Sequence, residues 1–277
     1  MDLIKALILG LIQGATEFVP VSSSGHLVLV PWLLNWPEPG LVFDTVVHWG
    51  TLAALLVVFW QDLWRLLRAW LTSVWSCIRR SGVVGGEVRT DARVAWWIII
   101  GTVPAALLGW LFEEWFERLF ATPSAAAGFL LLTAAILAAS ERWGRRNKTL
   151  EQMGPADALL IGLAQAAAIA PGISRSGATM GMGLARGLRR DVAARYSFLL
   201  STPIIFGAGL FKLMDLFGAA EASGQLPTLI VGFLAAAASG YGCIRFLLRY
   251  LQRGRLYPFA IYCAVVGGVV LMFALLR

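Results

Sequence analysis

Two short polar segments interrupt apolar stretches of this chain: QGATEFVPVSSSGH begins at residue 13 and PGISRSGAT at residue 171. The side chains in them that could do chemistry are Gln13, Glu17, Ser22, Ser23, Ser24, His26, Ser174, Arg175, Ser176 and Thr179. Ionisable groups in apolar surroundings are costly and usually functional. One guanidinium among six small hydroxyl groups favours a phosphate ligand over a proton relay.

The two segments belong to an internal repeat. GLIQGATEFVPVSSSG at residues 10–25 aligns without a gap with GLAQAAAIAPGISRSG at residues 162–177. Both copies end in Ser-x-Ser-Gly, and Ser23 of the first copy lies over Arg175 of the second. We therefore expect the two Ser-x-Ser-Gly turns to meet at the interface between the repeats.

Arg175 is the centre of the predicted anion site. Its planar guanidinium matches phosphate oxygens in pairs. Gly172 and Gly177 permit a tight turn beside it, and a half-helix beginning there would offer free N–H groups to an anion. The alternative is that Arg175 forms a buried salt bridge with Glu17 and has no further role.

Gln13 and Glu17 are four residues apart and therefore share one helix face. Their oxygens could ligate a divalent cation, Mg²⁺ or Ca²⁺, with phosphate oxygens and water completing the coordination. Because one carboxylate binds such an ion weakly, the cation would need the substrate. Alternatively, Glu17 is a general base.

Ser23 and His26 predict covalent phosphoryl transfer, because they lie on adjacent helical turns and a hydroxyl beside a base is an activated nucleophile. We choose Ser23 as the nucleophile because the repeat places it opposite Arg175. His26 could instead attack directly, protonate the leaving phosphate or be a satisfied interior histidine. We interpret His48, on an otherwise apolar span, as structural.

The chain as a whole is too apolar for a soluble domain. Of its 277 residues, 58% are hydrophobic and 14% are charged, whereas soluble domains contain about 25% charged residues. A helix needs about 20 apolar residues to cross a membrane. Six stretches qualify, approximately residues 42–60, 94–112, 124–140, 192–213, 226–246 and 257–276.

Two further apolar regions, residues 3–34 and 155–188, are broken by Pro20 and by Pro171-Gly172. Each half is too short to span, and irregular backbone inside a bilayer must be covered by protein or water. We therefore predict an all-α integral membrane protein with six transmembrane helices and two re-entrant broken hairpins. Two kinked spanning helices are the alternative.

The basic residues predict the orientation. Four segments hold 18 of the 23 Lys and Arg residues, namely 61–93, 141–151, 186–195 and 245–255. Such segments are typical of cytoplasmic loops, so the net charge of +7 does not indicate nucleic acid as a partner. The hairpins then enter from opposite sides. This predicts one membrane domain, 1–277, built from inverted repeats at 1–140 and 153–277.

The two motifs resemble those of a known family. QGATEFVPVSSSGHL resembles the (E/Q)xxxE…PVSSSGH signature, and PGISRSGAT the PGxSRSxxT signature, of the bacterial undecaprenyl-diphosphate phosphatases, the bacitracin-resistance family. The resemblance covers the whole chain. It implies removal of the terminal phosphate of a C55 isoprenyl diphosphate to recycle the cell-wall carrier lipid, with a divalent cation, in the bacterial inner membrane and with a site open to the periplasm.

The functional residues that the resemblance implies are Gln13, Glu17, Ser22, Ser23, Ser24, His26, Ser174, Arg175, Ser176 and Thr179. Position 13 is glutamine here, where many members have glutamate. A lipid flippase or transporter is the alternative function, because inverted broken hairpins also occur in transporters. The sequence leaves a homodimer open.

Overall fold

The computed structural model of the protein describes residues 1–79, 86–120, 122–216 and 226–276. These residues form helices and one short 3-10 turn at Leu150–Gln152, without a strand. In chain order the α-helices are α1 Leu3–Glu17, α2 Ser23–Leu34, α3 Leu41–Arg79, α4 Gly86–Leu111, α5 Glu113–Phe120, α6 Pro123–Trp143, α7 Pro155–Ala167, α8 Arg175–Ala185, α9 Arg190–Leu216, α10 Leu226–Tyr250 and α11 Tyr257–Leu276.

Six helices, α3, α4, α6, α9, α10 and α11, are long and apolar enough to cross a membrane. They confirm the six predicted spans, and the chain is a multi-pass membrane protein. Helix α3 departs furthest from its predicted bounds, because it continues for 39 residues past a kink at Phe59. At 1.5 Å per residue it measures about 58 Å. Its second half therefore extends beyond a hydrocarbon core of about 30 Å.

The two remaining apolar regions are each interrupted at the predicted positions, at Pro20 and at Pro171-Gly172. Residues 18–22 separate α1 from α2, and residues 168–174 separate α7 from α8. The four helices have 15, 12, 13 and 11 residues, which is too short for any one of them to span. Whether both pairs are re-entrant and related by inversion stays a prediction.

The repeat is visible in how the helices begin. The Ser22 hydroxyl accepts a hydrogen bond from the Gly25 N–H at 3.2 Å and starts α2. At the matching position of the second copy, the Ser174 hydroxyl accepts one from the Gly177 N–H at 3.0 Å and starts α8. An N-cap hydroxyl stabilises a helix by satisfying one of its free N–H groups. The two Ser-x-Ser-Gly motifs are therefore matching helix caps.

Helices of the first half of the chain pack against helices of the second half. Helix α1 packs on α10, and α7 packs on α4. The contacts are so close that a Cβ atom on Gly10 would lie 2.5 Å from the Gly232 carbonyl oxygen, and a Cβ on Gly162 would lie 2.5 Å from the Gly101 carbonyl oxygen. Gly10 and Gly162 are partners in the repeat. Glycine lets helix backbones approach in this way.

Helix α5 has no counterpart in the sequence prediction. It is a single amphipathic helix of eight residues between α4 and α6. Its Phe116 and Leu119 side chains pack against a small buried cluster around the second break, which includes Ala168, Ala170 and Ile173. Helix α5 thus covers part of this irregular backbone, which is what the predicted position of the break inside the bilayer would require.

Ion pairs join the basic segments of the chain to one another. Arg195 contacts Asp62 at 2.5 Å and so joins segment 186–195 to segment 61–93, and within the latter segment Arg65 contacts Asp91 at 3.0 Å. The buried Glu141 carboxylate accepts hydrogen bonds from Arg190 and from the backbone N–H of Leu256. Residues of all four basic segments, or next to them, thus meet at one end of the bundle, although residues 80–85 lie outside the described part. Which side of the membrane this end faces stays a prediction.

Candidate active site

The two turns meet at the Glu17 carboxylate. Arg175, the first residue of α8, donates from Nη2 to Glu17 Oε1. Ser23, the first residue of α2, donates from Oγ to Glu17 Oε2. The backbones also touch, since a Cβ on Gly25 would lie 3.2 Å from the Gly172 Cα. Residues 158 positions apart in the chain therefore share one carboxylate.

Glu17 is buried and has several partners. Its side chain lies between α1 and the two turns, and the Gln13 amide donates to Glu17 Oε2 at 2.9 Å. The Nε2 atom of His48 lies 3.7 Å from the same oxygen. A buried carboxylate is tolerated when it is paired and hydrogen-bonded in this way. The salt bridge that the sequence allowed as a purely structural alternative is thus present, but it is one of several contacts at a shared centre.

The helix starts give the site its electrostatic character. Helices α2 and α8 begin at Ser23 and Arg175, one after each break, and these residues converge on Glu17. A helix N-terminus has free N–H groups and a partial positive charge, so it favours anions. The charge of Arg175 and the two helix starts therefore make the surroundings of Glu17 electropositive, which is the character that an anion site requires.

The glycines predicted for the second turn are explained by its geometry. Gly172 has a φ of +95°, a left-handed conformation, and a Cβ there would lie 2.1 Å from the Ala126 carbonyl oxygen. A Cβ on Gly177 would lie 3.0 Å from the Ser174 Cβ. A side chain at Gly172 would therefore push the turn away from α6, and one at Gly177 would crowd the Ser174 side chain that caps α8.

The other predicted hydroxyl groups hold the turns together. Ser22 Oγ lies 3.3 Å from Ser24 Oγ, and Ser174 Oγ lies 3.2 Å from Ser176 Oγ, which is the same contact in each copy. Ser176 also donates to the Val19 carbonyl oxygen of the first turn at 3.2 Å. Thr179 lies within α8 and its hydroxyl is 2.7 Å from the Arg175 carbonyl oxygen.

His26 does not contact Ser23 through a hydrogen bond. Its Nδ1 atom lies 2.7 Å from the Ser22 carbonyl oxygen, and its Nε2 atom lies 2.8 Å from the Tyr262 hydroxyl. Of the two bases that the sequence offered for Ser23, Glu17 is the one within hydrogen-bond reach. The catalytic roles of these residues stay predictions.

The chain is similar to proteins of one known family. The family model described as bacitracin resistance protein BacA matches residues 6–269. This chain belongs to the BacA family. It is similar to the undecaprenyl-diphosphatase of Geotalea daltonii, with 42% identity covering 99% of this chain and 98% of the relative. It is 43% identical to that of Pelotomaculum thermopropionicum, covering 100% and 98%, and 42% identical to that of Geobacter sulfurreducens, covering 100% of both chains.

In this BacA family member, two residues at the site, Thr133 and Tyr262, were not predicted from the sequence, and a third, His48, was interpreted as structural. Thr133 of α6 accepts a hydrogen bond from the Ser174 N–H at 3.0 Å and donates to the Gly172 carbonyl oxygen at 2.9 Å. Tyr262 of α11 contacts His26, and His48 of α3 faces Glu17. All three lie on long apolar helices outside both motifs. Their only sequence signal is a polar group within an apolar span, which we noted for His48 and interpreted as structural.

The fit of a divalent cation is partial. Gln13 Oε1 is buried without a hydrogen-bond partner, and such an oxygen could ligate a cation. Among the described residues, however, no cluster of three or more His, Cys, Asp or Glu residues could hold a metal. Gln13 and Glu17 therefore fit a cation only as two of its ligands, and the phosphate oxygens of a substrate would have to provide others.

Proposed function

We propose that this protein is an undecaprenyl-diphosphatase of the bacterial inner membrane, which releases the terminal phosphate of a C55 isoprenyl diphosphate. The observation that carries the proposal is the shared contact of Ser23 and Arg175 with Glu17 within an apolar helix bundle. The names of the similar proteins give the substrate. The product, undecaprenyl phosphate, would return to cell-wall synthesis, and its recycling would confer bacitracin resistance.

Ser23 acts as the nucleophile in this proposal. Its Oγ attacks the terminal phosphorus while Glu17 accepts the hydroxyl proton, because Glu17 is the base within hydrogen-bond reach of Ser23. The bond from that phosphorus to the bridging oxygen breaks, and the lipid monophosphate leaves. Water then hydrolyses the phosphoserine, which releases inorganic phosphate and restores the hydroxyl.

Arg175 holds the charge during transfer. A guanidinium has five N–H donors, and one of them is directed at Glu17. The others are available for the oxygens of the terminal phosphate. Phosphoryl transfer depends mainly on positioning and electrostatic stabilisation, so Arg175 and the two helix starts supply most of what the reaction needs. In this proposal the diphosphate is also bound by the small hydroxyl side chains of the two turns, namely Ser22, Ser24, Ser174, Ser176 and Thr179.

A divalent cation, Mg²⁺ or Ca²⁺, is part of the proposal, with Gln13 and Glu17 as protein ligands. When bound with the diphosphate, it would neutralise phosphate charge. Gln13→Leu removes the unpartnered amide oxygen, together with the amide N–H that donates to Glu17, and keeps a side chain of similar size. We expect this variant to need about tenfold more cation for half-maximal activity, measured by titrating the metal into chelator-treated enzyme. An unchanged titration curve would remove Gln13 from the ligand set.

The orientation follows from the positive-inside rule. The end of the bundle where the basic segments meet would face the cytoplasm, and the site would open to the periplasm. The lipid tail would lie between helices in the bilayer. A homodimer is compatible with the proposal, which needs residues of one chain only.

Thr133 provides a test of the second turn. Thr133→Val keeps the shape of the side chain but leaves the Ser174 N–H and the Gly172 carbonyl without their partner. Two lost buried hydrogen bonds should destabilise the protein by about 1–3 kcal/mol and lower kcat about tenfold through misplacement of Arg175. Thr133→Ser retains the hydroxyl and should restore both values, measured by thermal unfolding and phosphate release.

Release of phosphate by the purified protein tests the function itself. We expect inorganic phosphate from a short-chain isoprenyl diphosphate in detergent, and none from the matching isoprenyl monophosphate, which lacks the anhydride bond. A pure flippase would release none from either. No observation on the described residues favours that alternative, and a protein that releases no phosphate from the diphosphate would refute the hydrolase.

A further inference from the structure

Tyr262 lies outside both motifs, on the last helix, yet it contacts the first turn. Its hydroxyl is 2.8 Å from His26 Nε2, and the two rings stack with their centroids 5.7 Å apart and their planes 12° apart. The neighbouring Cys263 Sγ lies 3.7 Å from the Pro20 carbonyl oxygen. Helix α11 thus packs directly against the break that precedes Ser23.

The hydrogen-bond partners assign the protons of the His26 ring. A backbone carbonyl can only accept, so Nδ1, 2.7 Å from the Ser22 carbonyl oxygen, carries the hydrogen. In the neutral ring Nε2 is then a bare acceptor, and the Tyr262 hydroxyl donates to it. Both ring nitrogens are occupied, and the ring is fixed between a turn of one half and a helix of the other.

The carbonyl that His26 contacts belongs to the peptide that joins Ser22 to Ser23. Ser22 has a φ of +69°, a left-handed conformation that is unfavourable for residues other than glycine and persists only when neighbours enforce it. The bond from His26 to the Ser22 carbonyl is one such restraint. A restraint on this peptide also fixes the direction in which Ser23 presents its hydroxyl.

We propose that Tyr262 is a positioning residue, which through His26 fixes the Ser22–Ser23 peptide and so aligns the Ser23 hydroxyl with Glu17. The contacts run from the Tyr262 hydroxyl to the His26 ring and from that ring to the Ser22 carbonyl. The role deepens the proposed hydrolase function and rests on it.

Labelled histidine tests the contact without any activity measurement. The chain has two histidines, so ¹⁵N-histidine gives signals from His26 and His48 alone, and His48→Gln assigns them. We expect a protonated Nδ1 and a hydrogen-bonded acceptor Nε2 for His26. Tyr262→Phe, which retains the stacked ring, should move the Nε2 signal towards that of an unbonded acceptor. An Nε2 signal that does not change would overturn the proposal.

Kinetics test the positioning role. Tyr262→Phe should lower kcat about tenfold and change KM less than about twofold, because the binding groups are untouched. Tyr241→Phe is the matched control, since Tyr241 contacts the exposed Arg245 on α10, and it should leave both constants unchanged. In a His26→Ala background, Tyr262→Phe should have no further effect. An independent, multiplicative loss in the double variant would overturn action through His26.

The two levels of the proposal fail separately. If the wild-type protein showed the expected His26 signals but released no phosphate, the proposed hydrolase function would be refuted while the contact stood. If it released phosphate and Tyr262→Phe did so at the wild-type rate, the hydrolase would stand and the positioning role would be refuted.

Discussion

Arg175→Lys is expected to lower kcat for phosphate release by about 100-fold or more. The lysine ammonium keeps the charge and could still pair with Glu17, but it lacks the planar set of donors that can hold Glu17 and the terminal phosphate together. Loss of a single preorganised donor to a developing charge typically costs about 100- to 1,000-fold. The measurement is steady-state release of inorganic phosphate from an isoprenyl diphosphate by purified protein.

The matched control for this variant is Arg245→Lys. Arg245 lies on α10, where its guanidinium contacts the exposed Tyr241, and its replacement should leave kcat within about twofold. Both variants should keep the thermal unfolding temperature of the wild type, because a lysine at position 175 can still pair with the buried Glu17 and Arg245 is exposed. Near-normal turnover by Arg175→Lys would show that charge alone suffices, and the paired-donor account of the phosphate site would be wrong.

Ser23→Ala should have the largest effect, a fall in kcat of about 1,000-fold or more, because it removes the attacking oxygen. The Arg175–Glu17 pair does not involve this hydroxyl and should persist. Ser24→Ala is the matched control. The Ser24 hydroxyl lies next to Ser22 and has no contact with Glu17, so we expect a loss of less than about tenfold.

The covalent step has a direct readout. Rapid denaturation during turnover should trap phosphate on Ser23 in the wild type and not in Ser23→Ala. Equal activity in Ser23→Ala and Ser24→Ala, or trapped phosphate on a histidine, would transfer the attack to water or to His26. Phosphate on His26 is distinguishable from phosphate on Ser23 because phosphohistidine is lost in acid, whereas phosphoserine survives it, and attack by water would leave no trapped phosphate.

The spans and the two breaks could be predicted because the bilayer restricts the choices. A crossing helix must be long and apolar, and Pro20 and Pro171 interrupt the regions that are not continuous. The internal repeat further predicted that the two turns are equivalent. It explains why Ser22 and Ser174 cap their helices in the same way, a detail that composition alone would not reveal.

Contacts between helices that are distant in the chain could not be predicted from the sequence. Spacing suggested that His26 would serve Ser23, because the two lie on adjacent turns. In the structure the His26 ring instead bonds back to the Ser22 carbonyl and out to Tyr262, so Glu17 is the neighbour of Ser23. Thr133 and Tyr262 belong to apolar helices without a motif, and only the packing of those helices against the turns reveals them.

The bounds of some helices also followed from tertiary packing. Helix α3 continues to Arg79 because its second half packs along α4, with Arg65 paired to Asp91 and Trp70 against Trp96. Hydropathy favoured an end near residue 60, where the polar and basic residues begin. Helix α5 forms under the second break, and a segment of eight residues leaves too weak a periodic signal to predict.

The central claim is that the two capped turns together hold the diphosphate of a lipid. A structure with a non-hydrolysable methylene diphosphonate analogue of an isoprenyl diphosphate tests it most directly. We predict the terminal phosphonate between Arg175 and the start of α2, with its phosphorus facing Ser23 Oγ and the leaving oxygen on the opposite side. An analogue bound elsewhere, with Arg175 still paired only to Glu17, would contradict the account.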